Sequence, residues 1–173
     1  KAEAYLKKAL KKEHIIPLAY IAKGDECCRR GDLTEGKAWY EKAIAKNPNY
    51  GYYDMACAIA DDKALSSTLR ADLALPYLEK AVTTSDVLSW LADIYANKGQ
   101  KKKAFQHMYA AANMCDPYAQ KTLGDYYYEG VGVEKDYAKA FYWKKMAADQ
   151  GDAEAMCSVG YYYDTGSGVQ KDP

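Results

Sequence analysis

The residues whose types suit covalent, metal or phosphate chemistry are few. They are five cysteines (Cys27, Cys28, Cys57, Cys115 and Cys157), two histidines (His14 and His107) and two glycine turns, Gly130-Val131-Gly132 and Gly166-Ser167-Gly168. Each set fails a spacing test. A nucleophile needs a base held beside it, and neither histidine has a serine or cysteine placed near it by spacing. A redox or zinc pair separates its cysteines by two residues, whereas Cys27 and Cys28 are adjacent. A phosphate loop follows a strand and runs into Gly-Lys-Ser/Thr; neither glycine turn does, and both recur at a fixed interval. Lys101-Lys102-Lys103 opens a helix whose other face carries Ala104, Met108 and Ala111, the pattern of a solvated charge face rather than an RNA contact. No catalytic residue, metal or cofactor is therefore expected, and the chain does not read as an enzyme.

That interval organises the chain. Leu123, Gly124, Gly130, Gly132, Val133 and Asp136 return as Val159, Gly160, Gly166, Gly168, Val169 and Asp172, each pair 36 residues apart. A period between about 20 and 50 residues marks a solenoid. Within the first copy Leu123 and Tyr127 share one helical face. Gly130 and Gly132 supply the left-handed conformation that ends a helix, and Asp136 is placed to cap the next one. On that second helix Ala140, Trp143 and Ala147 form one stripe, with the tryptophan expected between hairpins. A lone hairpin cannot bury its apolar side, so copies must stack.

This pattern resembles the Sel1-like repeat, a relative of the tetratricopeptide repeat (TPR). The matching residues are Leu123-Gly124, Tyr127, Gly130-Val131-Gly132-Val133, Asp136, Lys139-Ala140, Trp143, Ala147-Ala148 and Gly151, then a second copy from Ala153 to Pro173. The resemblance implies an all-α, right-handed superhelix (α-solenoid) of antiparallel hairpins. It also implies a role in assembling complexes, for example in protein quality control at membranes, or in bacterial signalling and host interaction.

The chain reads as one repeat array over residues 1–173. A half repeat, 1–16, comes first, with Ala2, Leu6 and Ala9 on one helical face. A TPR-like unit, 17–48, carries Tyr20, Gly24, Cys27, Gly31, Gly36, Tyr40, Ala43 and Pro48. An irregular unit, 49–84, has one face of Tyr52, Met55, Ala56 and Ile59 and another of Leu73, Tyr77, Leu78, Ala81 and Val82, with a turn within Asp61 to Ser67. A second TPR-like unit, 85–116, precedes the Sel1-like repeat 117–152 and the partial copy 153–173. Starting inside a helical pattern and stopping in mid-motif, the sequence reads as a fragment of a longer array.

Lysine plus arginine and aspartate plus glutamate number 24 each, so no net charge points to nucleic acid or a lipid surface. No apolar run approaches the roughly 20 residues a membrane span needs. The odd number of unevenly spaced cysteines favours reduced thiols acting as small apolar residues, and with them a cytoplasmic setting. The disulfide-reinforced branch of the Sel1-like family places two cysteines in each repeat, and this chain does not.

In this superfamily the first helix of each hairpin lines the concave side. Counting from the small anchors Gly24, Ala56, Ala92, Gly124 and Gly160, the groove positions include Leu18, Ile21, Asp25 and Cys28; Tyr50, Tyr53, Cys57 and Ala60; Asp86, Ser89, Asp93 and Ala96; Tyr118, Lys121, Asp125 and Tyr128; and Glu154, Cys157, Tyr161 and Asp164. Tyrosines alternate with carboxylates there, and Lys121 is the only base. Tyrosine contributes contact area at little entropic cost. The expected partner-binding residues are Asp25, Tyr53, Asp93, Tyr118, Lys121, Asp125, Tyr128 and Tyr161. The expected partner is a protein or peptide, basic and apolar, with self-association a further option and no small-molecule substrate. A groove that clamps a C-terminal carboxylate uses lysine and asparagine where Ile21 and Asp25 stand, so that ligand is not expected. The reading is an interaction scaffold or adaptor. Its alternative is a non-catalytic regulatory or targeting arm of an enzyme whose catalytic domain lies elsewhere.

Overall fold

A computed structural model of the chain describes residues 16–47, 51–63 and 65–170. The half repeat expected over 1–16, the groove position Tyr50 and the terminal Asp172 lie outside the described residues, Ile16 apart. Among the described residues there are nine α-helices and no strand. They are α1 (Ile16–Arg29), α2 (Leu33–Lys46), α3 (Tyr52–Asp61), α4 (Ser67–Leu78), α5 (Ser85–Asn97), α6 (Lys101–Ala112), α7 (Pro117–Glu129), α8 (Tyr137–Asp149) and α9 (Ala153–Thr165). Backbone contacts divide the chain into two compact units, residues 1–82 and 83–173.

The helix starts follow from side-chain caps. Asp32, Ser66, Thr84, Asp116, Asp136 and Asp152 each accept a backbone N–H from the first turn of the helix they precede, at 2.8 to 3.4 Å. Such a cap contributes about 1 kcal/mol. Helices α7 and α9 end as their glycines require, with Gly130 at φ 78° and Gly166 at φ 73° in the left-handed region.

In the first unit α1 packs on α2, α3 on α4, and α3 also touches α1 and α2. Its core holds Cys27, Tyr40, Met55, Ile59, Ala74 and Leu78. In the irregular unit α3 ends at Asp61 and α4 begins at Ser67, the bounds of the stretch expected to hold the turn. The expected face on α4 needs correction: Leu73 is exposed while Ala74 and Leu78 are buried, and Ala81 and Val82 lie past the helix end. Pro76 stands within α4. It donates no backbone N–H, and the helix stops two residues later.

In the second unit α5 pairs with α6 and α7 with α8, while α7 packs on α6 and α9 on α8. Leu88, Leu91, Ala92, Met108, Leu123 and Trp143 are buried between them. Trp143 is edge-on to Tyr109 of α6 at 6.0 Å, and Phe105 of α6 is edge-on to Tyr127 of α7 at 5.4 Å. Gln120 is fully buried, donating to the Ala112 carbonyl (3.3 Å) and accepting from Gln150 (2.7 Å), so one amide ties α6, α7 and the end of α8.

The glycine turns are packing devices. A Cβ on Gly132 would overlap the Lys101 carbonyl at the start of α6, and a Cβ on Gly168 would overlap the Tyr137 carbonyl at the start of α8. Both glycines also take positive φ, 72° and 73°. Each turn thus lies with its backbone directly on the preceding hairpin, which only glycine permits.

Candidate functional site

The first helices bring several of their expected groove positions together within each unit. In the second unit the Tyr118 hydroxyl of α7 donates to Asp93 of α5 (3.3 Å), and Lys121 of α7 pairs with Glu154 of α9 (2.6 Å). Tyr118, Tyr128 and Tyr161 are exposed by 46%, 37% and 53%, as a contact surface requires. Ser89 does not belong to it. The turn of α5 carries Ser89 inward beside Val87, Leu88 and Leu91, where it is buried. Tyr95 and Tyr127, each three residues after its anchor Ala92 or Gly124, are buried, but Tyr163, at the same place after Gly160, is only half-buried and its neighbour Tyr162 takes the interior place.

Two residues that spacing alone did not single out complete the surface. Lys144 of α8 is nearly enclosed, with a side chain 4% exposed, and ion-pairs with Asp125 of α7 at 2.7 Å. To reach it, the lysine stem crosses Gly124: a Cβ there would lie 2.7 Å from Lys144 Cγ. In the first unit the Tyr40 ring crosses Gly24 in the same way, within 2.5 Å of where a Cβ would stand, and its hydroxyl donates to Asp25 at 2.7 Å. Tyr40 and Lys144 occupy one repeat position, three residues before Ala43 and Ala147. Lys121 is therefore not the only base at the surface. Tyr162 is the other omission. It and Tyr126, also buried, are 36 residues apart, and that match to the repeat period was their signal.

Around Tyr162 lies a cavity of about 350 Å³, edged by Asp125, Lys144, Glu154, Tyr128 and Tyr161. Tyr137, Tyr128, Tyr162 and Tyr161 form a continuous edge-to-face run with centroids 5.2, 6.1 and 6.3 Å apart. Burial pushes the Tyr162 phenol up to about 12, and that of Tyr126 likewise. The charge of Tyr161 and a hydrogen bond to it raise the Tyr128 phenol. The Lys121 ammonium holds Glu154 below the usual carboxylate range, and burial raises Asp93 despite the Tyr118 hydrogen bond.

The first unit has a larger cavity, about 730 Å³, between α1 and α3. Asp25 and Cys28 line it from α1, and Asp54, Cys57 and Asp61 from α3. Burial, then the charge of Asp25, raises the Asp54 carboxyl. Tyr53 is 41% exposed, and its hydroxyl lies in hydrogen-bonding reach of Cys57. The cysteines differ in setting: Cys27 is a buried apolar filler, Cys28 and Cys57 are half-buried, and Cys115 and Cys157 are exposed. The expectation of small apolar residues therefore holds for Cys27 and not for the two exposed thiols.

Among the described residues no cluster of histidine, cysteine and carboxylate side chains could hold a metal ion, and no helix is long and apolar enough to cross a membrane. The arrangement is that of a protein of stacked helical hairpins, a TPR-like α-solenoid, whose first helices carry side chains suited to contacts. The Sel1 repeat model matches residues 18–48, 117–152 and 153–173, just over half of the sequence, and the chain belongs to the Sel1 repeat family. A protective antigen present in uropathogenic Escherichia coli strains, which displays an SLR fold, is similar at a TM-score of 0.72 and 25% identity over 90% of this chain. The chain spans 35% of that antigen's length. A Sel1 repeat protein from Oxalobacter formigenes is similar at a TM-score of 0.69 and 24% identity, over 90% of this chain and 67% of that one. YrrB, a TPR protein with an unusual peptide-binding site, is similar at 0.64 and 20% identity, over 97% of this chain and 86% of that one. No curated protein matched the chain. Sel1-like and TPR-like repeats generally mediate protein–protein interaction and belong, as a rule, to non-catalytic scaffolds.

Proposed function

We propose that this chain is an interaction scaffold or adaptor that holds a segment of a partner protein against its first helices. The observation that carries the reading is the exposure of Tyr118 at the start of α7 and of Tyr128 and Tyr161 at the tyrosine-floored cavity. Monomeric surfaces seldom gather large aromatic side chains without a partner to cover them, and tyrosine is enriched where binding energy concentrates. The first-unit cavity adds a second contact of different character. Asp25, Asp54, Asp61 and Asp62 outnumber Arg29 and Lys63 in its lining, and that acidic balance suits a basic side chain of the partner, while the tyrosines suit its apolar part. YrrB is named for a peptide-binding site; at 20% identity that likeness speaks for the fold, and the peptide role here rests on the tyrosines.

The test is capture of partners from native lysate by the chain and by a Tyr118→Ala, Tyr128→Ala, Tyr161→Ala variant. Asp125 stays unchanged, because its removal would leave the Lys144 ammonium enclosed and uncompensated. A partner retained by the parent and lost by the variant, at equal helicity and melting temperature, supports the surface. Equal capture by both rejects it.

A further inference from the structure

The carboxylates expected to select basic residues at the tyrosine cavity already have cations of their own. Asp125 holds Lys144 and Glu154 holds Lys121, at 2.7 and 2.6 Å. With both carboxylates neutralised by the chain's own lysines, the cavity carries no net charge that would draw a lysine or arginine from a partner. An acidic partner meets the converse difficulty, since both lysines are engaged. What the cavity still offers is aromatic surface, with Tyr162 as floor, Tyr128 and Tyr161 as walls, and Tyr137 extending the run. One hydroxyl of the hydrogen-bonded Tyr128–Tyr161 pair at its rim can donate to a peptide carbonyl, and Asp125 and Glu154 each commit one oxygen to a lysine.

From this we infer that the tyrosine cavity of α7 and α9 takes an uncharged, extended segment containing proline. Proline has no backbone N–H to satisfy, leaves a carbonyl to accept from a phenol, and presents an apolar ring to an aromatic wall. Proline-rich segments are also pre-extended, so little conformational entropy is lost on docking, which is why aromatic-lined grooves suit them. The inference deepens the scaffold reading and rests on it: the same surface is used, and the partner's chemistry is specified.

The experiment is calorimetric titration of the whole chain with three synthetic decapeptides: one alternating proline pairs with leucine, one with lysine replacing each leucine, and one alanine-rich and helical. The proline–leucine peptide is expected to bind best, with affinity changing less than about twofold between roughly 0.05 and 0.5 M salt. The Tyr128→Ala, Tyr161→Ala variant, folded by circular dichroism, should weaken it by at least about tenfold. Tighter, salt-sensitive binding of the lysine peptide would overturn the uncharged partner, and tighter binding of the helical peptide would overturn the extended one. Should none of the peptides bind while the triple tyrosine variant still loses its captured protein, the proline inference fails and the scaffold reading stands. If none binds and capture is equal, both fail.

Discussion

Gly124 and Gly160 are the same repeat position, yet only one is occupied from above. A methyl on Gly124 would meet the Lys144 stem at 2.7 Å, whereas a methyl on Gly160 meets nothing within 4 Å. Gly124→Ala is therefore expected to destabilise by about 1 to 3 kcal/mol through overpacking, and Gly160→Ala to be neutral or to stabilise by up to about 1 kcal/mol because alanine favours a helix. Urea unfolding of the two variants checks the contrast; equal effects would remove the crossing lysine from the account. Asp54 gives a residue-scale pH effect. Its carboxyl is raised in the folded protein, so the folded state binds that proton more tightly than the unfolded chain. Stability is then fullest below the ordinary carboxylate value, declines as pH rises from there through the raised value, and is lowest at neutral pH. Asp54→Asn should raise the melting temperature at pH 7 and change it little at about pH 3. The reverse order would show that Asp54 is held by a favourable charge instead.

At the scale of the element, the Gly-x-Gly turn is a clasp. Gly132 and Gly168 sit 36 residues apart and each lies against the first carbonyl of the preceding second helix. Gly132→Ala combines a positive-φ penalty with a backbone collision, so the turn must lift from α6. A loss of at least about 2 kcal/mol follows from the sum of strain and lost packing, together with faster amide exchange at the start of α6. Gly151→Ala, also at positive φ but with open space around it, should cost only the conformational part. Comparing the two by hydrogen exchange separates strain from docking.

For the whole molecule, residues 83–173 carry a core of their own, from Leu88 and Leu91 through Met108 and Leu123 to Trp143. Solenoid stability is close to a sum over units and their nearest neighbours. Expressed alone, residues 83–173 should retain native helicity and a cooperative melt, while a chain starting at residue 100, which removes α5 and strips the face of α6 that packs on it, should not. A featureless melt of 83–173 would contradict the self-sufficient core.

The fold was legible in the sequence because the signals that set it are local and repeated. The 36-residue period, the cap at Asp136, and the glycines at Gly130 and Gly166 act within a few residues of themselves, so reading them needs no partner in space. Burial of Trp143 and exposure of Tyr118, Tyr128 and Tyr161 followed from the same helical register. The irregular unit was misread at α4, because its apolar residues fit two faces and only packing against α3 chooses Ala74 and Leu78. Charge at the site was beyond sequence reasoning for a related cause. Asp93, Asp125 and Glu154 look like free carboxylates, each on its own first helix, but their partners Tyr118, Lys144 and Lys121 come from other helices, 19 to 33 residues away. Periodicity says which way a side chain points from its own helix. Which side chain meets it there depends on how helices stack, and that only the tertiary structure decided.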